Sequence, residues 1–182
     1  MEAVTRLAAR QQEDVLACAA AGDETAFRRI IAAHHEDMRR VCLAVVGDHA
    51  VAEEAVQAAW LVAWKKLDRV HGPDHLRPWL VSVAVTEAKQ LLRRQRRRAE
   101  VEAMVDASVE PVSADPATGI ASVDLKAALL RLDADDRALL TMRYGAGFNS
   151  NELAIATGKT PAAIRQRLKR LVDRLREDLS HD

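Results

Sequence analysis

The chain has 182 residues with 27 basic and 27 acidic side chains, so its formal net charge is zero and charge alone announces no nucleic-acid partner. Hydrophobic residues make up 49% of it and aromatics only 3%, with seven Gly and five Pro, which favours helices and excludes the closely spaced turns of a β-sandwich. No apolar run approaches the ~18–20 residues of a membrane span, and Met1 to Asp14 mixes acids and bases and lacks a secretion core. A cytoplasmic protein without membrane insertion is expected. Cys18 and Cys42 are isolated. A single disulfide is possible, but such cysteines in a helical chain usually mean buried or free thiols in a reducing compartment.

Charge is sorted along the chain. Arg93 to Arg98 holds five arginines in six positions, Ala99 to Asp124 carries acids and no Lys or Arg, and Lys159 to Arg176 is again dominated by basic residues.

Met1 to Ala21 predicts a short helical lead-in, broken at Gly22-Asp23. Asp23 can cap an amphipathic helix carried by Phe27, Ile30, Ile31, His34, Met38, Val41 and Val45 to Val46. Gly47 ends it and Asp48 caps the next, whose stripe is Val51, Ala52, Ala55, Val56, Ala59, Val62, Ala63 and Leu67. Trp60 and Trp64, four apart, share one face of that helix. After the loop His71-Gly72-Pro73 a third helix runs from Leu76 to about Arg98. Leu80, Ala84, Ala88, Leu91 and Leu92 are its expected buried side, and Arg77, Val81, Thr86, Lys89, Gln90, Arg93 and Arg94 its other side.

Ala99 to Val123, with Pro111, Ser113, Asp115-Pro116 and Gly119, is acidic and weakly apolar. It cannot bury enough surface to offset its ordering entropy and reads as a linker, with a helical start through Met104. Asp124 to Leu132 predicts a helix, and Asp133 caps another through Leu139, Leu140, Met142 and Tyr144 until Gly145 and Gly147.

Asn149 to Leu175 predicts two short helices joined by a tight turn. Asn149 and Glu152 form a reciprocal cap, Thr157-Gly158 turns the chain, Thr160 caps and Pro161 takes the first helical position. Ile164, Leu168, Leu171 and Leu175 form a buried face, which leaves Arg165, Gln166, Arg167, Lys169 and Arg170 largely outward. The pattern is that of a helix-turn-helix whose second helix can enter a major groove, and an ordinary hairpin with a solvated basic face fits it too. The expected fold is all-α: two small helical domains (22–98 and 124–179) joined by an acidic flexible linker (99–123) after a lead-in (1–21), the second a four-helix unit. His34-His35-Glu36 does not make a metal site, because adjacent histidines point to different helix faces; His71 and His75 flank a loop containing a proline. No phosphate loop or nucleophilic triad is present in the sequence, so no enzyme is expected.

Three stretches together resemble the extracytoplasmic-function group of the sigma-70 family, the bacterial transcription initiation factors. They are Gly22-Asp23-Glu24-Thr25-Ala26-Phe27; Gly47 to Trp64, with Arg77-Pro78-Trp79-Leu80 and the arginine run after it; and Leu132 through Arg143-Tyr144 to Leu175. They stand in the family's order, with a linker in the expected place. The resemblance implies a first domain that binds the clamp of core RNA polymerase and opens the −10 element. It implies a last domain that reads the −35 element and touches the polymerase flap. It also implies an anti-sigma partner, no cofactor and no catalytic residue.

Carried onto this chain, clamp binding would use Glu53, Glu54, Val56, Gln57 and Trp60, with Trp64 as a further candidate. Melted promoter DNA would meet Arg77, Trp79, Thr86, Glu87, Lys89, Gln90, Arg93 and Arg94. In the recognition helix, Thr160 and Pro161 set its start, Arg165, Gln166 and Arg167 suit base edges or nearby phosphates, and Lys169 and Arg170 position the backbone. Ala58 stands where the family commonly has an acid, Thr86 and Gln90 replace the usual Asn and Asp, and Asn149-Ser150-Asn151 replaces the commoner Ser-Tyr opening. The first would weaken one clamp contact; the second and third bear on promoter preference, not on architecture. Two other readings fit: a stand-alone helix-turn-helix regulator binding a palindrome without polymerase, and a degenerate sigma-like protein that only binds partners.

Overall fold

Short polar caps fix most helix boundaries. The computed structural model describes residues 2–105, 128–129 and 131–180, and among them no strand occurs. The helices are α1 (Glu2–Ala20), α2 (Glu24–Val46), α3 (His49–Lys66), α4 (Pro73–Val105), α5 (Ala134–Leu140), α6 (Ser150–Thr157) and α7 (Pro161–Ser180). A 3-10 turn at Leu67–Arg69 follows α3, and a π turn at Thr141–Gly145 follows α5.

Asp23 accepts from the backbone N–H groups of Thr25 (2.7 Å) and Ala26 (3.1 Å), satisfying donors that the first turn of α2 leaves open. Gly47 closes α2 at φ 77°, where a side chain would be strained, and its N–H donates to the Leu43 carbonyl. Asp48 then caps α3 through the N–H of Val51 at 2.9 Å.

α2, α3 and α4 pack on one another, and α1 lies along α2. Their contact faces are Met38, Val41 and Val45 on α2, Ala52, Ala55, Val56, Ala59 and Ala63 on α3, and Leu80, Val81, Ala84 and Ala88 on α4, all essentially without solvent exposure. The alanines of α3 let its backbone approach its neighbours closely. α4 begins at Pro73, earlier than the sequence pattern indicates, and continues through Met104 to Val105. Val81 is buried, not outward as its spacing suggested, and Leu91 and Leu92 are only half-buried. The reason is that α4 packs against α2 and α3 and also against α6, which widens its apolar face beyond one stripe. The rest of the expected linker and most of the expected helix from Asp124 to Leu132 lie outside the described residues.

In the second unit Asp133 caps α5 through the N–H of Asp136 at 2.8 Å. After the π turn, Ala146 donates to the Thr141 carbonyl and Phe148 to the Met142 carbonyl, both at 2.9 Å. Leu139, Phe148, Leu153 and Ile164 are buried, and they join Leu168, Leu171 and Leu175 of α7. This apolar cluster is continuous with that of the first bundle, since α5 and the π turn sit on α2 while α6 sits on α4. Among the described residues no helix is long and apolar enough to cross a membrane.

Both cysteines are free: Cys18 is exposed and Cys42 is buried in α2. Burial, with a smaller push from Glu53, raises the Cys42 thiol to about 12. The thiolate is the reactive species, so Cys42 is expected to resist alkylation while the protein is folded. Iodoacetamide followed by mass spectrometry should find one modified thiol, Cys18, in the native protein and two in denaturant; modification of Cys42 at the Cys18 rate would contradict its burial.

Candidate nucleic-acid and polymerase interfaces

The turn between α6 and α7 is built as its sequence dictates. The Asn149 side chain accepts from the N–H groups of Asn151 (2.8 Å) and Glu152 (3.1 Å), and Glu152 accepts in return from the N–H of Asn149 (2.8 Å). Gly158 sits at φ 67°, in the left-handed region that lets the chain reverse without a Cβ penalty. The exposed Thr160 then caps α7 through the N–H of Ala163 at 3.2 Å, with Pro161 as its first residue. Ile164, Leu168, Leu171 and Leu175 face inward, and Arg165, Gln166, Lys169 and Arg170 are exposed along the other side. Such a surface can offer donors to guanine, a paired donor and acceptor to adenine, and cations to phosphates. Arg167 differs from its neighbours. It is half-buried, and its Nε donates to Asp136 Oδ1 at 2.6 Å, fastening α7 to α5.

On α4 the expected DNA-facing residues divide in two. Thr86, Arg93 and Arg94 are exposed, and the arginine run continues exposed to Arg98. Trp79, Glu87 and Gln90 are half-buried. The Thr86 hydroxyl donates to the Ser82 carbonyl at 2.8 Å. Lys89 Nζ donates to Asp135 Oδ1 at 2.7 Å, which holds the Asp135 carboxyl below its ordinary range.

Arg77 is the most heavily engaged of them. Its Nε donates to Asp37 at 2.7 Å, and its Nη2 donates to the Ala146 carbonyl. Its Nη1 lies 3.6 Å from Glu152, and its guanidinium stands 4.2 Å from the centre of the Phe148 ring. Nearby His34 is held below the ordinary imidazole value by burial, with Asp37 pulling the other way.

On α3, Glu54 and Gln57 are exposed and Glu53 is half-buried beside His35, its carboxylate 3.7 Å from the imidazole Nε2. Trp60 is 8% exposed and Trp64 42%. Both meet Phe27 edge-on, at 5.8 and 4.8 Å between ring centres. Trp60 Nε1 also donates to His35 Nδ1 at 3.3 Å. Val56 must be removed from the candidate surface: its side chain is fully buried, so it shapes the helix and has no area to offer a partner. Leu61, 68% exposed and three residues before Trp64, belongs on that surface and was missed. Its signal is its position outside the Val56, Ala59 and Ala63 stripe, where an apolar residue has no core to enter. Among the described residues no cluster of His, Cys, Asp and Glu could hold a metal ion.

Comparison with known proteins bears on both units. The model for sigma-70 region 2 matches residues 30–98, and that for sigma-70 region 4 matches residues 122–175. The chain is 32% identical over 168 residues to the probable RNA polymerase sigma factor RfaY of Xanthomonas campestris, covering 88% of this chain and 42% of that protein. It is 29% identical over 167 residues to the ECF RNA polymerase sigma factor SigL of Mycobacterium tuberculosis, covering 87% and 91%. Its fold superposes on the sigma factor RpoE of Bartonella quintana, solved in complex with the anti-sigma factor NepR. The TM-score is 0.68 at 26% identity, over 86% of this chain and 98% of that one.

Proposed function

The chain belongs to the sigma-70 family of RNA polymerase sigma factors, in its extracytoplasmic-function group, and on that premise we propose that it binds core RNA polymerase, directs it to a set of promoters and helps melt their −10 region. The observation that carries the proposal is the pairing of two matched regions in family order with a capped helix-turn-helix whose outer face is Arg165, Gln166, Lys169 and Arg170.

Residues 22–98 serve as the polymerase and −10 domain, 99–123 as the linker and 124–179 as the −35 domain. The −35 reader is α7: Arg165 and Gln166 take base edges, Lys169 and Arg170 take phosphates, Thr160 and Pro161 aim the helix, and Arg167 holds it in place. The −10 side is α4, through Arg77, Trp79, Thr86, Glu87, Lys89, Gln90, Arg93 and Arg94. The polymerase clamp meets α3 at Glu53, Glu54, Gln57, Leu61 and Trp64, with Trp60 beneath them, and the flap meets the last domain. The protein works in the cytoplasm with the polymerase, is held by an anti-sigma partner as the RpoE neighbour is, and performs no catalysis of its own.

Glu54 tests the polymerase contact because it is exposed and has no role in the core. Charge reversal by Glu54→Lys is expected to weaken binding to core polymerase at least about tenfold, roughly 1.4 kcal/mol, because it replaces an attraction with a repulsion at the interface. Competition against a labelled sigma factor measures it; unchanged affinity would remove this face of α3 from the interface.

A further inference from the structure

Glu53 and Trp60 stand seven residues apart on α3, about 10.5 Å along its axis at about 1.5 Å per residue. The half-buried His35 of α2 reaches both. Its Nδ1 accepts from the Trp60 indole N–H at 3.3 Å, and its Nε2 lies 3.7 Å from a Glu53 carboxylate oxygen. An indole nitrogen can only donate, so Nδ1 must be the acceptor. A neutral imidazole carries one ring proton, and an accepting Nδ1 places that proton on Nε2, on the Glu53 side. Trp60 thereby fixes the tautomer, and the tautomer turns a donor toward the carboxylate. At 3.7 Å the pair is held by charge and dipole, not by a direct hydrogen bond.

The cations nearby on α2 are committed elsewhere. Arg39, one turn beyond His35, is within electrostatic range of Glu53, but it donates to both oxygens of Glu36 at 2.9 Å. Arg40 lies 3.8 Å from the same Glu36 carboxylate. His35 is therefore the side chain placed to steady Glu53. Glu53 keeps 40% of its side chain in solvent, enough to meet a partner. A carboxylate on a bare helix surface samples several rotamers and loses that freedom when it binds; one held beforehand costs less to engage.

We propose that His35 is a positioning residue for polymerase binding: held in one tautomer by Trp60, it fixes the Glu53 carboxylate at the outer edge of α3 for the clamp. This rests on the polymerase role proposed above, whereas the contacts from Trp60 through His35 to Glu53 are internal to the first bundle.

Two substitutions separate the two jobs of the ring. The side chain introduced by His35→Asn ends at the level of Nδ1, so it can accept from Trp60 but cannot reach Glu53. The one introduced by His35→Gln ends at the level of Nε2 and can still donate to Glu53. In competition against a labelled sigma factor, His35→Asn is expected to weaken binding to core polymerase about fivefold and His35→Gln less than about twofold. In a Glu53→Gln background the two should bind alike, because the carboxylate over which they differ is gone. Circular dichroism checks that each variant keeps its helix. In the wild type, nitrogen NMR of the imidazole at about pH 8 should find the proton on Nε2.

A proton on Nδ1 overturns the proposal. So do equal affinities for the two variants, which would reduce His35 to packing, and so does a difference between them that survives Glu53→Gln. Should a variant lose helix, the wild-type tautomer decides alone. A wild type that does not bind core polymerase removes the function on which the proposal rests. A wild type that binds, with variants that do not differ, removes the role of His35 and leaves that function standing.

Discussion

Trp60→Ala is expected to lower the unfolding free energy by about 3–5 kcal/mol, whereas Trp64→Ala, four residues on, is expected to cost only about 1–2 kcal/mol. The sequence places both on one face of α3, yet the structure gives them different work. Trp60 is 8% exposed, packs edge-on against Phe27, and donates to His35, which in turn approaches Glu53. Removing it opens a cavity between α2 and α3 and leaves the imidazole without its donor. Trp64 also touches Phe27 but keeps 42% of its surface in solvent, next to the exposed Leu61. Its truncation forfeits less buried area and should appear instead as weaker polymerase binding by a folded protein. Denaturant titration of each variant, with polymerase affinity measured alongside, separates the two. A Trp64 variant as unstable as the Trp60 one would mean that this face is core, not interface.

The second large effect concerns the promoter. Arg165→Ala and Gln166→Ala should each cost about 1–3 kcal/mol of discrimination between the −35 sequence and other DNA, provided each makes a paired contact to a base. That is about 5- to 150-fold per residue. Lys169→Ala and Arg170→Ala should weaken binding to all sequences alike and lower the salt slope by about one each. Arg167→Ala should behave like neither set. Its guanidinium is committed to Asp136, so its loss is expected to loosen α7 on α5 and reduce stability along with affinity. Anisotropy of holoenzyme on specific and scrambled duplexes, at two salt concentrations, distinguishes the three outcomes. Equal loss on both duplexes for Arg165 and Gln166 would reduce them to phosphate contacts.

The features legible in the sequence are those fixed within one helical turn. Asp23, Asp48, Asn149 with Glu152, Gly47 and Gly158 cap or turn the chain through partners at most four residues away, so composition and spacing suffice to find them. The inward row of α7 is legible for the same reason, because a helix packed on one side buries one stripe.

Failures begin where a residue's environment comes from a distant part of the chain. Val81 looks outward on a one-sided helix, but α4 is covered from more than one side. Val56 belongs to the apolar stripe of α3 by its spacing, and its burial agrees with that stripe and not with the clamp contact that the family resemblance implies. Arg77, Lys89 and Arg167 read as free cations; their carboxylate partners stand 40, 46 and 31 residues away in sequence. Nothing in one sequence gives that pairing. It depends on how the two units dock, which local spacing does not encode.

Transcription in vitro tests the central claim most directly. The purified protein would be combined with core RNA polymerase and sheared DNA from the source genome, and the 5′ ends of the transcripts sequenced. The account predicts defined start sites sharing two upstream motifs at fixed spacing, with the upstream motif blurred by Arg165→Ala or Gln166→Ala. No defined starts, from a core preparation that initiates normally with another sigma factor, would contradict it. Binding of a palindrome by the protein alone would then assign the helix-turn-helix to a regulator that works without polymerase.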